Sequence, residues 1–202
     1  MKKTETIQKR GEKTRQKIIS EAASLFHHQG YTATGLDQIL KKAEVTKGAF
    51  YHHFRSKKDV ALAVIREVVA DQVQTRMIDP VINASNPLVA IRNVVLSLRK
   101  ETPDSDLLTG CPINNLANEL ALQDPEIQMA LATLFHNWEA AWTKSLQREL
   151  KSGRRHNYKD PRELSLSLIA LIEGAQAMAK AHQSRKPLDV ALKRVEKIIS
   201  EA

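Results

Sequence analysis

Cysteine occurs once in the 202 residues, glycine and proline seven times each, and aromatic side chains make up only 4% of the chain. A single cysteine excludes an internal disulfide, and the opening residues show no signal-peptide pattern, so a reducing cytoplasm is the expected compartment. No uninterrupted apolar run approaches the ~18 residues of a membrane-spanning helix, so no span is expected. The glycines are scattered rather than gathered into a phosphate-cradling loop, and no Ser-His-Asp arrangement or metal-ligand spacing can be placed. Neither an enzyme nor a bound cofactor or metal is expected. Also missing is the apolar/polar alternation that marks a strand, which leaves an all-α chain of about nine helices.

What is present in excess is positive charge, and its position matters more than its size. Residues 1–58 hold 13 Lys plus Arg against 5 Asp plus Glu, a net of +8, whereas residues 59–202 hold 18 of each. A basic N-terminal block joined to a neutral body suggests that the block meets a polyanion and the body does something else. With 42% apolar residues the chain can bury a substantial core without staples.

Residues 1–13 lack apolar periodicity and read as a flexible basic arm. Ile18, Ala22, Leu25 and Phe26 then recur at helical spacing, and Gly30 follows as a left-handed cap. Thr34 is expected to cap a short second helix, with Asp37 returning the bond and Leu36, Ile39, Leu40 and Ala43 forming its inner face. Thr46 is the expected cap of a third short helix, and two brief helices joined by a tight turn make a helix-turn-helix. Ser56 with Asp59 opens a longer helix carrying Val60, Ala61, Val64, Ile65, Val68 and Val69. Asn86-Pro87, Cys111-Pro112, Asp124-Pro125 and Asp160-Pro161 each place an acceptor or thiol before a proline at the first helical position, and Pro187 opens the last helix.

In a helix-turn-helix the second helix enters the major groove. Here it runs from Thr46 to His53, in "EVTKGAFYHHF". Phe50 and Phe54, four residues apart, can face a core, which turns Thr46, Lys47, Gly48, Tyr51 and His52 toward the groove. A helical glycine costs about 1 kcal/mol relative to alanine, and at Gly48 its missing methyl group would let backbone approach DNA closely. His52-His53 do not suit a metal, because helical neighbours point about 100° apart, and His27-His28 fit the negative end of the first helix dipole.

Residues 14–60, "TRQKIISEAASLFHHQGYTATGLDQILKKAEVTKGAFYHHFRSKKDV", resemble the DNA-binding module of the TetR family of transcriptional repressors. The shared pattern is an A-F/L-F-x-x-x-G-Y/F-x-x-T run followed by I-A-x-x-A-G-V-S-x-G-x-x-Y-x-H-F-x-x-K. Glu44 stands where the pattern has Gly, and Thr46 where it has Ser. The resemblance implies a three-helix DNA-binding domain at residues 14–58 and a larger helical effector-binding and dimerisation domain at 59–202. It implies a repressor that binds a palindromic operator as a homodimer and is released by a small molecule, electrophile or oxidant. It further implies phosphate contacts from Thr34 and from Lys57, and groove contacts from Thr46, Lys47, Gly48, Tyr51 and His52. The alternative is a constitutive DNA-architectural protein with no small-molecule response.

In the remaining two-thirds, Leu164, Leu168, Leu171 and Ala175 form an apolar face, continued by the small residues of "EGAQAMAKA". Val190, Leu192, Val195 and Ile198-Ile199 mark the last helix. These residues suit either an internal core or a dimer interface, and the resemblance favours pairing through the last two helices. Trp138 and Trp142, one turn apart behind Leu134 and Phe135, suit either core or an effector pocket, with Met129, His136, Ile172, Glu173, Gln176 and Met178 as further lining candidates. Cys111 sits in "TGCPINNLANEL", similar to a Gly-Cys-x-x-x-Asn/Lys-Leu-x-x-Glu segment in a subset of the same family, which also brings in Asn115. A helix N-terminus favours the thiolate and hence reaction with electrophiles or oxidants; the other reading is an inert, buried thiol.

Overall fold

The computed structural model describes residues 2–101, 108–152 and 156–201. Among the described residues there are nine helices and no strand, counting the unbroken helical run 57–82 once. They are α1 (Lys2–Gln29), α2 (Leu36–Ala43), α3 (Lys47–His53), α4 (57–82), α5 (Pro87–Glu101), α6 (Pro112–Leu120), α7 (Pro125–Leu150), α8 (Pro161–His182) and α9 (Lys186–Glu201). The all-α expectation holds. Within α4 two stretches, Val64–Val69 and Gln74–Ile78, widen into π-helical turns.

The chain divides into two compact units, Met1–Ala70 with Asn115–Leu131, and Asp71–Asn114 with Ala132–Ala202. In the first, Ile18, Ala22, Leu25 and Phe26 of α1 are buried, as their spacing predicts, together with Ile39, Leu40 and Ala43 of α2 and Phe50 of α3. Helix α1 begins at Lys2, so residues 2–13 are helical where the sequence reading has a loose arm. Their Lys, Glu, Gln and Arg are good helix formers, and adding turns to an existing helix is far easier than starting one.

The predicted caps mostly close as expected. The Thr46 hydroxyl accepts from the Ala49 N–H at 3.2 Å, and Ser56 accepts from Asp59 at 3.2 Å while the Asp59 carboxylate takes the Arg55 N–H at 2.9 Å. Asn86, Asp124 and Asp160 each accept from N–H groups in the first turn of the helix they precede. Gly30 adopts φ +88°, the left-handed geometry of a helix terminator. The exception is α2. Its cap residue is Gly35, whose N–H donates to the Gln38 side chain at 2.8 Å, so Thr34 and Asp37 do not form the expected box.

Thr34 is instead buried, its hydroxyl donating to the Gly30 carbonyl at 2.7 Å. This turn is fastened from two sides. Lys57 donates to the Tyr31 and Thr34 carbonyls at 2.9 and 2.8 Å and lies 4.2 Å above the Tyr31 ring, while the Glu119 carboxylate of α6 accepts from the Tyr31 and Thr32 N–H groups at 2.8 and 2.6 Å. Burial pushes the Glu119 carboxyl up, but the Thr32 and Tyr31 bonds and the Lys57 charge outweigh it and hold the group below the usual Glu value.

In the second unit Trp138 and Trp142 of α7 lie edge to face, ring centres 5.5 Å apart, in the middle of a core drawn from α4, α5, α7, α8 and α9. The Trp142 indole N–H donates to the Met77 carbonyl at 2.7 Å. Helix α8 is long and apolar enough to cross a membrane by length and composition, yet half of its most apolar stretch is packed inside the unit.

Two predictions follow from the turns. Glu119→Ala leaves two backbone donors without their acceptor and should destabilise the fold by about 1–3 kcal/mol at pH 7. A depressed carboxyl stabilises above its unfolded value and loses that contribution as pH falls through its folded one, so urea melts should show the gap between variant and parent shrinking toward pH 3.5. Glu44 sits at φ +54°, a left-handed conformation unfavourable for any residue with a Cβ, and is tethered by Lys17 at 2.5 Å. Glu44→Gly relieves that strain and should raise the melting temperature in a calorimetric scan.

Candidate functional site

Helix α3 is seven residues long, too short to be stable alone, and is held by two aromatic side chains. Phe50 and Phe54 are buried with ring centres 5.8 Å apart, and the Arg15 guanidinium lies 5.5 Å from the Phe54 ring centre. Their burial leaves Thr46, Lys47, Gly48, Tyr51 and His52 exposed on one side, Tyr51 with half of its surface in solvent. A Cβ built on Gly48 meets nothing within 4 Å, so no contact inside the chain requires a glycine there. His53 is half-buried, and burial, then His52 and Arg15, lower its pKa, which favours the neutral ring.

The charge around this surface is more selective than the net charge of the block. Arg15 pairs with Glu67, Lys17 with Glu44, Lys42 with Glu21, and Lys58 with Asp124 and Glu126. Lys41, Lys47 and Arg55 are exposed and have no ion pair among the described residues. These three lie on and beside α2 and α3. Thr34 and Lys57 depart from the pattern's implication: the Thr34 hydroxyl is out of solvent and already donating, and the Lys57 ammonium is occupied by two carbonyls. Both residues shape the turn before α2.

The effector candidates divide. Asn115 falls in the first compact unit; Cys111, Phe135, Trp138, Trp142 and Glu173 fall in the second. Phe135 packs partly buried against the tryptophan core, and the Trp138 indole N–H has no hydrogen-bond partner among the described residues. Met129, His136 and Met178 are exposed and line no interior space. Cys111 opens α6 and its thiol is hydrogen-bonded to the Glu173 carboxyl of α8. Burial, followed by the Glu173 charge, pushes the thiol well above its ordinary value despite the Ile113 and Asn114 N–H groups. The expected thiolate is thus corrected: desolvation outweighs the helix terminus. Glu173 is 7% exposed, its Oε2 has no hydrogen-bond partner among the described residues, and burial raises its pKa to about 7.

The apolar face expected at an interface also points inward. Leu164, Leu168 and Ala175 are buried in the core of their own chain and Leu171 is packed partly buried against it. What α8 leaves exposed is a different stripe, Leu166, Ala170, Gly174, Ala177 and Met178, with Val190 exposed on α9. Of this stripe the sequence reading held the small residues of "EGAQAMAKA" and Val190, but not Leu166 or Ala170. It also missed Glu119, although this is the closing glutamate of the Gly-Cys segment.

Comparison with known proteins agrees with this geometry. Residues 18–64 match the family described as "Bacterial regulatory proteins, tetR family", and residues 87–194 match "Transcriptional regulator LmrA/YxaF-like, C-terminal domain". The uncharacterized HTH-type transcriptional regulator YxaF of Bacillus subtilis is 27% identical over 87% of this chain and 89% of its own. The HTH-type transcriptional repressor NemR of Escherichia coli is 27% identical over 93% of this chain and 94% of its own. The crystal structure of E. coli NemR in its reduced form superposes with a TM-score of 0.80 at 26% identity, covering 92% of this chain and 96% of that one. The chain belongs to the TetR family of DNA-binding transcriptional regulators, which are not enzymes.

Proposed function

We propose that the protein is a cytoplasmic homodimeric repressor that reads a palindromic operator with α3 of each protomer and lets go when an effector reaches the Cys111–Glu173 region. The observation that carries the DNA-reading half is the division of α3: its aromatic residues are buried while Thr46, Lys47, Gly48, Tyr51 and His52 face outward together. A single seven-residue helix touches too few base pairs for useful selectivity, and two-fold pairing doubles the site. Residues 14–58 would form the reading head, and residues 59–202 the effector-binding and pairing body. The exposed Leu166–Ala170–Gly174–Met178 stripe of α8, with Val190 of α9, is the surface we assign to pairing; its small residues permit close helix approach.

The Gly-Cys segment and the similarity to a repressor solved in a reduced form support an electrophile or oxidant as effector. Trp138 Nε1 and Glu173 Oε2, both buried without a hydrogen-bond partner among the described residues, support a small polar ligand in the second unit. For a tenfold loss of DNA affinity the effector needs to favour the released state by only about 1.4 kcal/mol.

Selection of a random duplex pool by the purified protein should recover a two-fold symmetric site with half-sites about one helical turn apart. Binding confined to low salt with nothing enriched would replace this reading with a nonspecific architectural protein. On the recovered site, diamide or acrolein should release the parent and leave Cys111→Ser bound; release of the variant would remove Cys111 from the response. Gly48→Ala should stabilise the free protein by up to about 1 kcal/mol, since helix propensity rises and no clash is made, while operator affinity drops at least tenfold by fluorescence anisotropy. Unchanged affinity would remove the close backbone approach at Gly48.

A further inference from the structure

Cys111 presents a chemical difficulty for any electrophile response. Its thiol is held protonated by burial and by the neighbouring Glu173, and a thiol is a poor nucleophile. The same neighbour offers the solution. Glu173 is more than nine-tenths buried, one side of its carboxyl receives the Cys111 thiol, and Oε2 has no hydrogen-bond partner among the described residues. Gln176 approaches Oε1 at 3.5 Å, and the Asn114 amide holds the Glu173 backbone carbonyl at 3.3 Å, fixing α8 against the start of α6.

We infer that Glu173 is a two-sided proton relay that selects α,β-unsaturated carbonyl compounds as the electrophiles that modify Cys111, binding the carbonyl oxygen through Oε2 while its other oxygen takes the thiol proton. This rests on the electrophile reading above. In the addition, the Cys111 S–H bond breaks and its proton passes to Glu173. The sulfur pair forms the S–C bond at the β-carbon, the alkene pair shifts toward the carbonyl carbon, and the carbonyl oxygen takes the proton from Oε2. Glu173 ends as a neutral acid with its proton on the opposite oxygen, and the enol so formed returns to the carbonyl compound in water. No oxidant or reductant is needed, and no free thiolate forms.

The relay works only while Glu173 is protonated, and with its pKa near 7 a large share of molecules hold that proton at neutral pH. Among the described residues, the groups that face this carboxyl are the Cys111 thiol, from the start of α6, and the neutral Gln176 on its own helix, and neither carries a charge. Iodoacetamide, an alkylating agent that reacts by displacement at carbon, uses the thiolate alone and has no need of the acid.

The test is intact-mass measurement of Cys111 alkylation by acrolein and, separately, by iodoacetamide. In the parent protein, the acrolein rate should fall about tenfold between pH 6 and pH 8 as Glu173 loses its proton, while the iodoacetamide rate rises with the thiolate, so the acrolein-to-iodoacetamide ratio should fall by well over tenfold. Glu173→Gln should slow acrolein at least tenfold, leave iodoacetamide as fast or faster, and flatten the ratio. A parent ratio independent of pH, or equal acrolein rates in parent and variant, overturns the relay while the electrophile reading stands. Absence of any acrolein adduct on the folded parent, with adduct on the unfolded chain, overturns both. The parent ratio decides the matter if the variant fails to fold.

Discussion

Burial of Phe50 and Phe54 is the constraint on which the DNA-facing surface depends. Two aromatic residues four apart are the minimum that can fix both the position and the rotation of a helix. With seven residues, α3 has little hydrogen-bonded length of its own, so removing either anchor would free its azimuth before it altered anything else. Rotation is what counts: a turn of one residue, about 100°, would bring the Tyr51 position inward and carry Phe50 toward solvent. The Arg15 guanidinium near Phe54 and its pairing with Glu67 tie α1, α3 and α4 into the same small core, so the anchors are themselves anchored.

What could be read from the sequence was whatever depends on neighbours along the chain. Thr46, Ser56, Asn86, Asp124 and Asp160 cap helices because a side-chain oxygen reaches its own first turn, a geometry set within four residues. The exposed face of α3 was legible for the same reason. Thr34 was misread because its hydroxyl had two acceptable local uses, and the choice was made by Gly30, whose left-handed turn brings a carbonyl within 2.7 Å. The outward stripe of α8 was legible only in the small residues of "EGAQAMAKA"; Leu166 was missed because leucine sits on both sides of the helix, Leu164 and Leu168 within and Leu166 without. Only the packing partners α5, α7 and α9 decide which side is core.

Net charge needed the same correction from long-range contacts. Counting residues assigns a field of +8 to the first 58. Several of those cations are paired across elements with Glu21, Glu44, Glu67, Asp124 and Glu126, the last three beyond residue 58 and therefore invisible to a count that stops there. The exposed ion pairs add little stability, with a median of about 0–1 kcal/mol. Their larger effect is to subtract charge from surfaces away from α3 and leave Lys41, Lys47 and Arg55 to dominate near it, a short-range pattern that survives a Debye length of about 8 Å.

Cys111 shows why local rules fail for an ionisable group whose residue is only partly exposed and whose thiol is desolvated. A helix N-terminus stabilises a negative charge by roughly 0.3–1 kcal/mol, up to about 2 in partly buried geometries. Burial can shift a group by as much as 3–5 pKa units, and each unit is worth about 1.4 kcal/mol, so a desolvated thiol next to an acidic side chain stays protonated whatever its helix position. The sequence places Cys111 at the helix start but does not say that α8 lays Glu173 beside it. Once both are together, reactivity becomes a property of the pair. Glu173 keeps the thiol protonated while burial, against the pull of the thiol's own hydrogen bond, raises the Glu173 carboxyl, and an electrophile able to accept a proton at its carbonyl oxygen is the reactant best suited to such a site.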